Sequence, residues 1–209
     1  MRILVLGSGG REHAMACALE RTGDTVLVAP GNGGTPQRRD VDPCDPEQVT
    51  ALCRAEHIDL VLIGPESALA AGVADALRAA GFPVFGPSRE AARLETSKSY
   101  SREFAAHHGI PSPQYATFSG PHAAAEAKAW ADAQDFAVVV KADGLASGKG
   151  VVVPETVAER DEAITRLALT GPILLEERLT GPEVSLLVFS DGKSVAAMPP
   201  AQDHKRIRE

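Results

Sequence analysis

The feature that most constrains this chain lies at its start, where the unbroken apolar run Ile3-Leu4-Val5-Leu6 leads straight into Gly7-Ser8-Gly9-Gly10. A run without polar alternation is expected of a strand covered on both faces, as in parallel sheets wound with helices. A strand that hands a glycine turn to a helix N-terminus offers backbone N–H groups and the positive end of the helix dipole. That arrangement favours an anion by up to about 2 kcal/mol. Glycine suits the turn because a Cβ would hold a phosphate off. The pattern predicts a phosphate-binding turn, against the plainer alternative of glycines needed only for strand-to-helix geometry.

The alternation then repeats through the first hundred residues. A helix is expected from about Glu12 to Arg21, stopped by Gly23, and a second strand at Val26-Leu27-Val28-Ala29, ended by Pro30-Gly31-Asn32. Asp45-Pro46-Glu47-Gln48 has the form of a helix start, with an acid at the cap, Pro at the first position and Gln three after the cap. Leu60 to Ile63 predicts a third strand running into Gly64-Pro65-Glu66, followed by a helix from about Ala68 to Ala80 and a short strand at Val84-Phe85 before Gly86-Pro87-Ser88. Gly/Pro turns thus follow every strand, and in a parallel sheet those ends share the edge where ligands bind. The first turn is not the dinucleotide pattern G-x-G-x-x-G, because its sixth position is Glu12. Ala29-Pro30-Gly31 places no acid for a ribose hydroxyl either, so a dehydrogenase is disfavoured.

Beyond Thr96 the character changes. Helices are expected at about Lys98–His107 and, exposed and Ala-rich, from Pro121 to Ala133. Val138-Val139-Val140 leads to Lys141 and a glycine loop from Gly144 to Gly150, then out through Val151-Val152-Val153. A loop holding Ser147, Gly148, Lys149 and Gly150 can fold over nucleotide phosphates and exclude water, although an ordinary hairpin has the same pattern. It is not a Walker A loop, since Lys149 precedes Gly150 and a β-branched strand rather than a helix. A further helix precedes the strand Ile173–Glu177, and Val184 to Phe189 alternates as another strand. Taken singly, Glu176-Glu177-Arg178-Leu179 predicts a solvated strand end, Glu183 a surface acid and Asp203-His204-Lys205-Arg206 a solvated run. His13, His107 and His108 lack ligand spacing and are expected at the surface or at caps, so no residue is assigned to a metal. Without repeats or a low-complexity linker, two domains are expected, residues 1–101 and 102–209.

A net charge of −7 argues against nucleic acid. No apolar stretch approaches the roughly 18 residues of a membrane span. Cys17, Cys44 and Cys53 are odd in number and form no C-x-x-C, which suits reduced thiols packed as small hydrophobes. Met1 is followed within a residue by a strand, leaving no room for a leader. A cytoplasmic monomer is the expectation.

Taken together in their order, Gly7-Ser8-Gly9-Gly10-Arg11-Glu12-His13, Ala29-Pro30-Gly31-Asn32, Val61-Leu62-Ile63-Gly64-Pro65-Glu66, Phe85-Gly86-Pro87, Val140 to Gly150 and Gln202 to Arg206 are far more specific. They closely resemble the glycinamide ribonucleotide synthetase (phosphoribosylamine–glycine ligase) family, ATP-grasp enzymes of purine biosynthesis. The resemblance spans essentially all 209 residues, though only the first half of the family's length. It implies an α/β fold, a doubly wound parallel-sheet N-terminal (pre-ATP-grasp) domain followed by an incomplete α+β ATP-grasp domain.

The same resemblance implies that Gly9, Gly10 and Arg11 meet the phosphate of 5-phosphoribosylamine, with Asn32, Glu66 and Pro87 along the same edge. Lys98 and Lys141 match the ATP-phosphate lysines, and Ser147 to Gly150 the mobile phosphate loop. Glu176, Glu177 and Leu179 match the adenine hinge, acting through backbone groups, and Glu183 the ribose acid. Asp203, Lys205 and Arg206 match a segment near the substrates and, with Lys141 and Lys149, form the implied catalytic set. The implied reaction passes through glycyl phosphate, made from glycine and ATP, which the amine of phosphoribosylamine then attacks. Magnesium is implied, but the family's Glu-x-Asn ligand unit cannot occur here because Asn32 is the only asparagine. Its ligands are therefore expected outside this sequence, and the chain is expected to be an N-terminal part, inactive alone. The stretch from Val157 to Ile173 is shorter than usual for the family, and Arg102 stands where many relatives have lysine. The alternatives are a non-catalytic nucleotide- or phosphosugar-binding fragment and another ATP-grasp ligase.

Overall fold

The computed structural model describes residues 1–145 and 150–204. Its first unit runs β1 (Arg2–Gly7), α1 (Gly10–Arg21), β2 (Thr25–Pro30), α2 (Pro46–Ala55), β3 (Leu60–Ile63), α3 (Glu66–Ala70), α4 (Val73–Ala79), β4 (Val84–Phe85) and α5 (Arg89–Thr96). The strands form a parallel sheet in the order β2-β1-β3-β4. Successive residues of β1 serve opposite faces. Leu4 and Leu6 join Leu27, Val61, Ile63 and helix residues such as Val49 and Leu77 in one core, while Val5 joins Val26, Val28 and Ala16 in another. Helices therefore cover both faces, as the unalternating run at Ile3–Leu6 requires.

Asp45 caps α2 as its sequence demands, its Oδ1 accepting from the backbone N–H of Glu47 at 2.9 Å and of Gln48 at 3.1 Å. Gln48 does not reach back to the cap backbone. Its Nε2 donates to Asp45 Oδ2 at 2.6 Å instead. Asp45→Ala is expected to lower stability by about 1 kcal/mol, the usual cost of losing a helix cap, read as a lower urea midpoint at constant slope.

Where one helix is expected over Ala68–Ala80 there are two, α3 and α4, divided at Gly72 with φ +85. That left-handed conformation is open to glycine and interrupts the helical ladder. α5 carries only one buried residue, Ala92, so its short polar helix leaves little apolar pattern to find.

The second unit runs α6 (Lys98–His107), β5 (Tyr115–Phe118), α7 (Ala123–Asp132), β6 (Val138–Ala142), β7 (Val151–Val152), α8 (Val157–Ala168) and β8 (Ile173–Glu177). Four short strands follow, β9 (Glu183–Ser185), β10 (Val188–Ser190), β11 (Val195–Ala197) and β12 (Ala201–Asp203). The main sheet is antiparallel in the order β5-β8-β6-β7. Val138, Val140, Ile173 and Leu175 pack on Ala127, Ala131, Ala163, Ile164 and Leu167 of α7 and α8. The helix expected to be exposed is thus half-buried, because its alanines recur every fourth residue and let the backbone sit close to the sheet. Val184 to Phe189 is not one strand. It divides into β9, paired with β12, and β10, paired with β11.

Cys53 is buried, which pushes its thiol up to about 11, and none of the cysteines is bonded to another. Among the described residues no helix is long and apolar enough to cross a membrane.

Candidate active site

The parallel register aligns Gly7 with Pro30, Leu6 with Ile63, and Leu62 with Phe85. The turns after β1, β2, β3 and β4 therefore share one edge of the sheet. The chain passes from β1 to β2 on one flank and to β3 on the other, so the strand order reverses between β1 and β3. That reversal opens a crevice between Gly7 and Gly64, the usual ligand position in such sheets.

Ser8, Gly9, Gly10 and Arg11 are exposed at this crevice. Asn32 braces the turn, its Nδ2 donating to the Ser8 carbonyl at 3.0 Å and its Oδ1 accepting from Gly34 N–H at 2.9 Å. The Arg11 guanidinium donates to Glu66 Oε1 at 3.1 Å. Glu66 is held below the usual carboxylate range, chiefly by its own backbone N–H and also by Arg11, against the opposing effect of burial. Of the predicted phosphosugar residues, Gly9, Gly10, Arg11, Asn32 and Glu66 thus gather around one turn, while Pro87 is exposed just beyond β4. One expectation is corrected. The Gly9 N–H does not stand open for a ligand, because it donates to Glu12 Oε2 at 2.7 Å. Gly10 differs, since a Cβ there would meet no protein atom within 4 Å.

A second cleft, of about 790 Å³, adjoins the first. Glu66 and Ser67 line it from the parallel-sheet unit, and Lys98, Arg102, Lys141, Gly144, Gly150, Glu176 and Glu183 from the rest. Lys141 alternates out of phase with Val140, and Glu176 with Leu175, so both project from the sheet face opposite α7 and α8. There Glu176, expected at a solvated strand end, is 4% exposed. The correction has a clear cause. Arg102 of α6 donates to both its oxygens, at 2.8 and 3.1 Å, and Lys141 Nζ donates at 2.5 Å. Burial pushes the Glu176 carboxyl up, but these two cations outweigh it and hold it below its ordinary value.

Lys98 is placed by Asp143. Ser97 leaves helical geometry between α5 and α6, and Asp143 accepts from the backbone N–H of Lys98 at 2.6 Å, of Ser99 at 3.3 Å and of Gly144 at 2.9 Å. The Ser99 hydroxyl also donates to it. Lys98 Nζ in turn donates to the Gly144 carbonyl at 2.7 Å. Burial acts to raise the Asp143 carboxyl, yet the donors of Ser99, Lys98 and Gly144 hold it low. The expected strand–loop–strand unit is present, with β6 and β7 antiparallel and closed by Ala142 N–H donating to Gly150 O at 2.7 Å.

Glu177 lies beside Glu176, its backbone N–H donating to the Gln114 carbonyl at 2.8 Å and its Oε2 accepting from the Gln114 N–H at 3.4 Å, whereas Leu179 is 65% exposed. Asp203 on β12 stands opposite Glu183 on β9. Ser147, Gly148, Lys149, Lys205 and Arg206 lie outside the described residues. His107 and His108 form a ring cluster with Phe104 at the end of α6, and His13 packs against Gly34. Sequence reasoning missed Asp143, Arg102 and Glu12 as parts of these sites. For Asp143 a signal existed, since it stands between Lys141 and Gly144. Arg102 stood out only as a departure from the family's lysine, and nothing local pairs it with Glu176, 74 positions away.

A parallel-sheet domain joined to an antiparallel sheet, with Lys98 of α6, Lys141 of β6 and the glycines at the ends of the β6–β7 connection lining a shared cleft, defines the ATP-grasp class. Comparison with known proteins agrees. Residues 1–95 match the sequence model for the phosphoribosylglycinamide synthetase N domain, and residues 96–209 that for the phosphoribosylglycinamide synthetase ATP-grasp (A) domain. The chain belongs to the phosphoribosylglycinamide synthetase family. It is 46% identical to phosphoribosylamine–glycine ligase from Ralstonia nicotianae, over 99% of this chain and 51% of that protein. It is 44% identical to the human trifunctional purine biosynthetic protein adenosine-3, over 100% of this chain and 22% of that one. The crystal structure of phosphoribosylamine–glycine ligase from Thermotoga maritima superposes with a TM-score of 0.78 at 31% identity, covering 99% of this chain and 51% of that one. The ADP complex of N5-carboxyaminoimidazole synthetase from Staphylococcus aureus shares the fold, with a TM-score of 0.76 at 17% identity over 98% of this chain and 55% of that one. The chain spans about half the length of the single-function relatives it matches.

Proposed function

We propose that this chain forms the phosphoribosylamine-binding domain and the first part of the ATP-grasp domain of an enzyme that ligates glycine to 5-phosphoribosylamine. The observation that carries the reading is the position of Glu66. It pairs with Arg11 at the glycine-turn crevice and also lines the lysine cleft, so the two sites open onto one another. An amine held at the first lies beside an acyl phosphate formed in the second, which is the proximity a two-substrate ligation needs.

In this reading Gly10 and Arg11, with Gly9 beneath them, receive the sugar phosphate, and Asn32, Glu66 and Pro87 border it. Lys98 and Lys141 bind ATP phosphates under the segment Ser147 to Gly150. The hinge Glu176 to Leu179 meets adenine through its backbone, Glu183 meets the ribose, and Asp203, Lys205 and Arg206 approach the reacting groups. Cationic Lys98, Lys141 and Arg102 converging on one cleft fit a polyphosphate. A glycine carboxylate oxygen attacks the γ-phosphorus and ADP leaves. The amine nitrogen then attacks the glycyl carbonyl, and phosphate departs as the nitrogen loses a proton. Magnesium would offset charge on the phosphoryl oxygens. Among the described residues no group of three acid, His or Cys side chains is placed to hold it, and its protein ligands are assigned to the remaining length seen in the relatives.

Calorimetry on the 209-residue chain tests the reading. ATP and ribose 5-phosphate should each bind, the first weakened by Lys141→Ala and the second by Arg11→Ala. Binding of ATP alone would leave only a nucleotide module, and binding of neither would refute the proposal.

A further inference from the structure

Glu12 lies in the floor of the crevice between β1 and β3 with its side chain 5% exposed. Three positions without a Cβ enclose it. A Cβ added at Gly7 would stand 2.5 Å from its Cγ, one at Gly9 2.7 Å from Oε2, and one at Gly64 2.2 Å from Oε1. Gly9 has φ −80 and ψ 177, and Gly64 is not among the positive-φ glycines. An alanine backbone would be at ease at both, so the Glu12 carboxylate is what demands glycine there.

Filling that space needs no charge, and burying a carboxylate is costly unless its oxygens find donors. Oε2 accepts the Gly9 N–H, which is half of a capping box on α1. Oε1 is buried without a hydrogen-bond partner, with Arg11 Nε 3.9 Å away. The ends of both strands meet here too, because Gly64 N–H donates to the Leu6 carbonyl at 3.1 Å. One side chain therefore touches the end of β1, the start of the turn after β3 and the first turn of α1.

We infer that Glu12 is the positioning residue of the phosphosugar site, fixing Gly9 and through it Gly10 and Arg11, and that glycine at 9 and 64 serves this carboxylate rather than the ligand. Gly7, with φ +128, needs glycine for its backbone as well. The inference rests on the proposed function only for its choice of ligand. Its first test needs none. In the 209-residue chain, Gly64→Ala should lower the urea midpoint sharply, whereas in a Glu12→Ala background the same change should shift it little. Equal harm in both backgrounds overturns the cradle. Should Gly64→Ala fail to fold, the double variant decides, since it must then fold as Glu12→Ala does.

The second test separates positioning from packing. Glu12→Met fills the cradle without an acceptor and should weaken ribose 5-phosphate at least tenfold, leaving ATP affinity unchanged, and Glu12→Gln should recover most of the loss. Full sugar-phosphate affinity in Glu12→Met, or an equal loss for ATP, overturns the inference. If the unmodified chain binds no ribose 5-phosphate, the proposed function fails by itself. Hydrogen exchange at the Gly9 amide then decides for Glu12, being faster in Glu12→Met if the inference holds and unchanged if it does not.

Discussion

Replacing Glu176 with alanine is expected to destabilise the chain by about 3–5 kcal/mol, the range for breaking a buried ion pair from one side. The carboxylate is 4% exposed, and its partners Arg102 and Lys141 are only 25% and 21% exposed. Without it two partly buried cations converge with no acid between them, and neither has another acidic partner in an ion pair among the described residues. Urea unfolding measures the loss. A midpoint within experimental error of the unmodified chain would show that the three groups are solvated and that burial does not matter. Removing Arg102 together with Glu176 should recover part of the loss, since the second cation is then no longer opposed.

The pH dependence follows with a definite sign. Glu176 titrates below its ordinary value of 4.5 in the folded chain, despite burial, because Arg102 and Lys141 hold its charged form. A depressed acid stabilises the fold fully above its unfolded value and loses that contribution as pH falls through the folded value. The stability difference between the parent chain and Glu176→Gln should therefore be constant near neutrality and shrink below about pH 4.5. A difference that grew on acidification would contradict the ion-pair account.

How much of this was legible in sequence depended on range. β1, its turn and the shared edge were legible because continuous apolar runs and Gly/Pro turns act within a few residues. The Asp45 cap was legible for the same reason. Gly72 was not, since an Ala-rich run passes through it without any change of pattern, and only the positive φ reveals the break. β5, β11 and β12 are short, and the latter two are largely exposed, so no periodicity marks them. At the site, Lys98 and Lys141 were named only through the family resemblance, and Glu176 could not be seen as buried, because what buries it comes from α6, 74 positions away. Glu12 was misjudged in a more instructive way. Glycines that looked like room for a phosphate are largely room for a carboxylate of the same chain, and only the pairing of β1 with β3 brings Gly64 to it. Local signals drew attention to the turn but could not show that its glycines border the Glu12 carboxylate.

Asp143→Ala is expected to cost about 3 kcal/mol and, under the proposed function, to weaken ATP at least tenfold. Hydrogen bonds to a charged acceptor contribute about 1.5–3 kcal/mol each, and bonds sharing one acceptor are not additive. Asp143 receives the N–H groups of Lys98 and Ser99 at the start of α6 together with that of Gly144 at the start of the glycine loop. It therefore caps a helix with a residue 45 positions away, and in doing so fixes the distance between that helix and the loop. The Lys98 ammonium bridges the same gap through the Gly144 carbonyl. Losing the carboxylate leaves α6 with Ser97 as its remaining cap, so the helix should survive while its register against the loop slackens. Circular dichroism should then show nearly unchanged helix content, with the loss appearing in the urea midpoint and in ATP calorimetry. Asp143→Asn keeps one acceptor oxygen without the charge and should fall between the two. If Asp143→Ala lowered stability while leaving ATP affinity intact, Lys98 would be positioned by α6 alone, and the link through Asp143 to the loop would be structural only.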